Sequence, residues 1–317
     1  MREEKTMSKT SEFITYKAPD GKEIRFPVAK VKGDLPGPKV FINGGMHGCE
    51  YPGIVAAIRF FNELDPAEIS GEVTIVTICS VDAFEKRSVF VTPEDGKNPN
   101  RFFPGSLTGS YTDALAYYLF NDFIKKADYF IDLHGGDMVE ALDPFVIYRG
   151  GENNETERLS RELVEYYGLP NIVMTKAGGA WDDSGTAYAN AAMAGVPGAI
   201  VEAGGVGQLD QASVDLHLKG LRNVLRHFKC LKGDAVKPEN QNFCKDLLWV
   251  FSPAGGIFYR EVEVGDKLRK GQKLGQVEDY FGKKLADVIS PSDGNLLFLT
   301  TSPAIKDKGL LMGLGVL

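Results

Sequence analysis

The chain has 317 residues, a formal net charge of -7 and a pI near 5.3, with 43% hydrophobic and 25% charged residues. That length buries a core large enough for one domain, or for one domain and a smaller companion. The acidic balance excludes a protein that grips nucleic acid or an anionic membrane through a basic surface, so neither is expected as a partner.

The opening MREEKTMSKTSEF lacks the apolar core of a signal peptide, and no later stretch approaches the ~18 apolar residues of a spanning helix; a cytoplasmic protein is expected. EFITYKAPDGKEIRFPVAKVKG reads as two extended runs around Pro19-Asp20-Gly21, a hairpin. PKVFINGG is a short apolar strand, EYPGIVAAIRFFNEL an amphipathic helix and GEVTIVTICSV a further strand, which together make the unit of a mainly parallel sheet. Residues 82–110 form a long irregular stretch of the kind that is more often functional than idle. TDALAYYLFNDFIKKA then reads as a helix, DYFIDLHGG as a strand, TERLSRELVEYYG as a helix, NIVMT as a strand, TAYANAAMAGVP as a helix and GAIVEAGG as a strand. VDLHLKGLRNVLRHF closes this first domain, expected over residues 1–232. Residues 233–317 change character: short alternating runs with glycine at the turns predict a small all-β unit, ending in a buried strand at GLLMGLGVL.

Three of the strands end in chemistry-bearing residues. FINGGMHGCE places His47 and Glu50 just past a Gly-Gly turn, IDLHGG ends in His134 and GAIVEAGG in Glu202. Ligands of open α/β sheets bind beyond the carboxyl ends of the strands, so all three ends can share one crevice. Two imidazoles and one carboxylate are a standard protein ligand set for catalytic zinc, which keeps a further position for water, and His47, Glu50 and His134 supply that set. Asp132 has the strand parity to lie near His134 and orient its ring. HxxE by itself is a common pattern, so the weight rests on the set. His217 and His227 sit in the last amphipathic helix and read as surface or packing residues. The four cysteines, Cys49, Cys79, Cys230 and Cys244, form no CxxC pair and are expected as free thiols; Cys49 lies inside the motif but has no evident activating base.

HGCE, NPNRFFPG, IDLHGG and VEAGG, in this order and followed by a β-rich tail, resemble the succinylglutamate desuccinylase/aspartoacylase family over nearly the whole chain. The resemblance implies an α/β, zinc-carboxypeptidase-like fold, with a mixed, mainly parallel sheet flanked by helices and a small barrel-sandwich-like C-terminal domain. It implies a zinc-dependent deacylase that hydrolyses a small N-acyl amino acid to a carboxylate and a free amine, using one Zn2+ per chain. On this resemblance His47, Glu50 and His134 match the metal ligands and Glu202 the catalytic acid/base. Asn100 and Arg101 match the pair that holds the substrate carboxylate, although NPNR departs from the commoner DLNR form. Arg87 is the nearest match to an oxyanion-stabilising arginine, at a spacing that does not align.

Asp137 and Glu140, following His134, are candidates to face the pocket and favour a cationic side chain. The tail resembles the biotinyl/lipoyl-carrier fold but has Ser292-Asp293-Gly294 where a carrier lysine would stand, so it reads as a non-carrying cap over the entrance, with Tyr259 as a candidate pocket residue. A metallocarboxypeptidase acting on short peptides and a non-catalytic metal-binding interaction module stand as alternatives. The sequence selects neither a monomer nor a homo-oligomer.

Overall fold

The computed structural model describes residues 7–181 and 183–317; residues 1–6 of the polar start lie outside the description. The expected hairpin is formed by β1 (Ser8–Lys17) and β2 (Glu23–Lys32). β3 (Leu35–Gly44), α1 (Tyr51–Glu63) and β4 (Ser70–Val76) make the first parallel strand–helix–strand unit. A short α2 (Val81–Lys86) interrupts the stretch expected to be irregular, and α3 (Tyr111–Tyr118) continues through a wider π turn at Leu119–Phe123. β5 (Tyr129–His134), β6 (Glu140–Leu142) and β7 (Phe145–Arg149) follow, then α4 (Glu155–Tyr167), β8 (Asn171–Thr175), α5 (Ala187–Met193), β9 (Gly198–Glu202) and α6 (Gln211–His227). The sequence reading missed β7, because FVIYR is buried at every position and so shows no alternation to mark it as a strand.

With β10 (Asn242–Cys244) these strands form a nine-stranded mixed sheet in the order β1-β2-β4-β3-β5-β9-β7-β8-β10. β3, β5 and β9 run parallel at its centre. Their alternate residues feed two cores. Val40, Ile42, Ile131, Leu133, Ala199 and Val201 pack on one face against α1, α4 and α6. Phe41 and Phe130 pack on the other, stacked at 5.5 Å between centroids, and are covered from the α3 and α5 side. Such aromatic pairs add about 0.5–1.5 kcal/mol beyond their area burial. By strand parity, Asn43, Asp132, His134, Ile200 and Glu202 share the Phe41 and Phe130 face, so the functional side chains emerge where that face runs past the strand ends.

The remaining chain is all β, as expected. β11 (Asp246–Phe251), β12 (Gly256–Arg260), β13 (Lys267–Leu268), β14 (Lys273–Glu278), β15 (Lys284–Ile289), β16 (Gly294–Thr300), β17 (Ala304–Ile305) and β18 (Leu310–Val316) form two further sheets. The two parts of the chain exchange strands. β10 lies beyond residue 232 yet extends the large sheet beside β8, while β6 pairs with β16 in the small one. The segment after His134 is thereby tied to the β-rich part, which brings β11 and β16 over the crevice.

Candidate active site

The turn after β3 explains the glycines of FINGGMHGCE. Gly45 has φ +66, a conformation that side chains rarely adopt, and a Cβ on Gly48 would run into the Phe84 backbone of α2. The chain can therefore bend sharply and carry His47 out from the sheet edge. Glu50 takes the N-cap position of α1, whose Pro52 needs no backbone partner in the first turn.

One ligand atom from each of His47, Glu50 and His134 lies within 4.8 Å of the others. His47 Nδ1 is 2.6 Å from Glu50 Oε1, and His134 Nδ1 is 2.9 Å from Glu50 Oε2. The second contact lacks hydrogen-bond alignment, so Glu50 Oε2 is a buried oxygen with no hydrogen-bond partner. The outward ring nitrogens face oxygens: His47 Nε2 is 3.1 Å from Asn98 Oδ1, and His134 Nε2 is 3.0 Å from Asp132 Oδ2, a contact that also lacks hydrogen-bond alignment. Asp132 Oδ1 accepts from Asn43 Nδ2 at 2.8 Å. Oxygens on the outer side of both rings suit imidazoles with Nδ1 turned inward, the arrangement that supports metal-binding histidines. An orphaned carboxylate oxygen and two inward imidazole nitrogens fit a divalent cation.

Electrostatics agree with the geometry. Burial acts to raise the Glu50 pKa, and the neighbouring imidazoles of His47 and His134 overcome it and hold the group at about 2. Burial acts to lower that of His134, but the Asp132 and Glu50 carboxylates push it well above the ordinary histidine value. A cation entering the site must displace that proton, as metal binding to histidine generally does. Glu202 sits directly across the strand pair from His134 in the β5–β9 register. Burial raises its pKa well above the ordinary carboxyl range; His134 pulls the other way, and Glu50 and Glu140 push further up. A carboxyl whose proton affinity is raised in this way can accept a proton and give it up again, the property a proton carrier needs.

Asn98, which the sequence reading passed over, organises the neighbouring loop. Its Oδ1 also accepts from the Asn100 backbone N–H at 2.9 Å. The Asn100 side-chain oxygen accepts from the Ala187 backbone at 2.8 Å. Arg101 donates to the Asn100 carbonyl at 2.7 Å, and its guanidinium stands 5.6 Å from the Trp181 ring centroid. The first Asn of NPNR was the available signal for Asn98. Nothing in the local pattern marks Trp181, which tertiary packing alone brings to the site.

His47, Glu50, Asn100, Arg101, His134, Glu140 and Glu202 all line one cavity of about 360 Å³. The structure does not bring Arg87, Asp137 or Tyr259 there. Arg87 caps α2 at φ 53 and is exposed, because the turn that ends the helix carries it to the surface. Asp137 is 1% exposed and closes a tight turn, accepting from the Val139 N–H at 3.0 Å. Tyr259 is 49% exposed on β12. Cys49 is buried, and burial pushes its thiol up to about 12, which leaves it no thiolate character near neutral pH.

The family model of the succinylglutamate desuccinylase/aspartoacylase catalytic domain matches residues 36–228, which carry every one of these polar lining residues. The chain belongs to that family. An N-alpha-acetyl-L-2,4-diaminobutyric acid deacetylase of Halomonas elongata is 28% identical over 271 residues, which cover 84% of this chain and 77% of that one. The fold is shared with a succinylglutamate desuccinylase/aspartoacylase from Rhodobacter sphaeroides, at TM-score 0.85 and 21% identity over 96% of this chain and 94% of that one. It is shared also with the product-bound Ectoine utilization protein EutE (DoeB) from Ruegeria pomeroyi, at TM-score 0.86 and 24% identity over 99% and 100%. Within the family's fold, the expected α/β sheet and β-rich tail are both present.

Proposed function

We propose that this chain is a zinc-dependent deacylase that hydrolyses the amide of a small N-acyl amino acid to a carboxylate and a free amine. The observation that carries the reading is the pairing of a two-histidine, one-carboxylate cluster with a buried carboxyl, Glu202, in register beside it. The named activity of the Halomonas elongata relative, a deacetylase of an N-acetylated amino acid, supports it.

His47, Glu50 and His134 would hold the cation, whose donor set of two imidazoles and a carboxylate suits zinc. When bound there, zinc supplies a Lewis acid for the acyl carbonyl and lowers the pKa of water towards ~7. Glu202 takes a proton from the attacking water and delivers it to the nitrogen as the C–N bond breaks, so the amine leaves neutral. Arg101 grips the substrate carboxylate through its planar guanidinium, with Asn100 beside it. In this reading residues 1–232 carry the chemistry and residues 233–317 close the crevice. Arg87, exposed outside the cavity, is assigned no part.

The test is free-amine release from N-acetyl, N-succinyl and N-formyl amino acids and from dipeptides, with and without a chelator. Chelator-sensitive release that returns on adding zinc is the expected result. No release from protein shown to contain zinc overturns the reading, and release only from dipeptides makes the chain a carboxypeptidase.

A further inference from the structure

The cavity has more wall than the reaction needs, and that wall is apolar, with six aromatic rings as well as Leu142, Ile147, Ile200, Leu247 and Leu310. The metal cluster, Glu202 and the Asn100/Arg101 pair account for the polar end. Beyond them stand Trp181 and Phe145 from the large domain and Trp249, Phe251 and Phe298 from β11 and β16. Trp181 and Trp249 meet edge to face at 5.9 Å, and Trp249 and Phe298 do so at 5.6 Å. Phe251, like Phe90 from the loop before Asn98, lines the cavity while remaining about half exposed, at 54% and 44%. Large apolar surface left uncovered at a cavity mouth marks a place for a ligand.

Arg101 joins the two ends, since its guanidinium lies 5.6 Å from the Trp181 ring centroid. A substrate anchored by its carboxylate on Arg101 therefore has its other substituents within reach of the aromatic wall. We infer that the substrate carries a large, flat apolar group, on its side chain or its acyl group, which packs against Trp181 and Trp249. This inference rests on the deacylase reading. Against a cationic side chain, the one carboxylate lining this cavity besides Glu50 and Glu202 among the described residues is Glu140, and its Oε2 already accepts from the Asp137 N–H at 3.1 Å. A buried ammonium needs fuller pairing than that, whereas an aromatic ring needs only contact.

The chain contains only two tryptophans, Trp181 and Trp249, so intrinsic fluorescence reports this wall directly. The zinc-loaded Glu202→Gln protein is titrated with N-acetylphenylalanine, N-benzoylglycine, N-acetyl-2,4-diaminobutyrate and N-acetylglycine, and the wild type is assayed on the same four. At least tenfold tighter binding of an aromatic ligand than of the other two is expected. The phenylalanine and benzoyl arms tell whether the ring belongs to the side chain or the acyl group. Trp249→Leu and the exposed Phe251→Ser should each lower the aromatic-over-diaminobutyrate ratio of affinities at least fivefold. Equal or tighter binding of the diaminobutyrate ligand, or a ratio that neither variant changes, overturns the inference. Aromatic-selective binding with no amine release from any substrate instead supports the aromatic subsite and overturns the hydrolase.

Discussion

His134 on β5 and Glu202 on β9 occupy the same register position on adjacent parallel strands, so one strand pair sets a candidate metal ligand beside a candidate proton carrier. Replacing Glu202 by Gln preserves shape and removes the titrating proton. Turnover should fall about 10²–10⁴-fold, the usual contribution of a general acid–base group, with zinc content unchanged. Amine release and metal analysis of the same preparation check it; loss of zinc would make Glu202 a ligand.

Asp132 is fully buried, between His134 and Asn43. Asp132→Asn keeps the volume but removes the carboxylate that stands 3.0 Å from His134 Nε2. Zinc affinity should fall about 10–100-fold, as is usual when such a supporting partner is lost. Competition with a chelating dye measures it, and an unchanged affinity would show that His134 is held by packing alone.

Arg101 is proposed to grip the substrate carboxylate through two parallel hydrogen bonds, which a lysine cannot reproduce. Arg101→Lys should lower kcat/KM by about 10-fold or more, with most of the change in KM. A change confined to kcat would place Arg101 at the reacting carbonyl instead.

His217 bears on stability rather than catalysis. Burial in α6 lowers its pKa to about 4, while its ring meets Tyr167 OH at 3.1 Å. In the unfolded chain it titrates near 6.5. Between these values the unfolded state binds the extra proton, so this contribution to stability is complete above about pH 6.5 and is lost as the pH falls towards 4. The loss is about 2 kcal/mol between pH 6.5 and 5. Urea unfolding at both pH values should show a smaller loss for His217→Gln than for the wild type; equal losses would mean that His217 is hydrated in the fold.

What the sequence determined by itself was local or periodic. Strand-ending glycines beside His47 and His134, the alternation of parallel-strand residues and the β-rich tail are all written in consecutive residues, because strand parity and turn geometry act over a few positions. The candidate cluster of His47, Glu50 and His134 was legible for the same reason, since the carboxyl ends of neighbouring parallel strands open on one edge whatever their separation along the chain. Only the tertiary structure decided which loop and tail residues reach the cavity. Arg87 and Asp137 have the right chemistry but are turned away by a helix C-cap and a tight turn, while Asn98 enters through two hydrogen bonds of its side-chain oxygen. Trp181 and Trp249 come from opposite parts of the chain and meet because β6 and β10 cross between the sheets, a packing contact that no local pattern encodes.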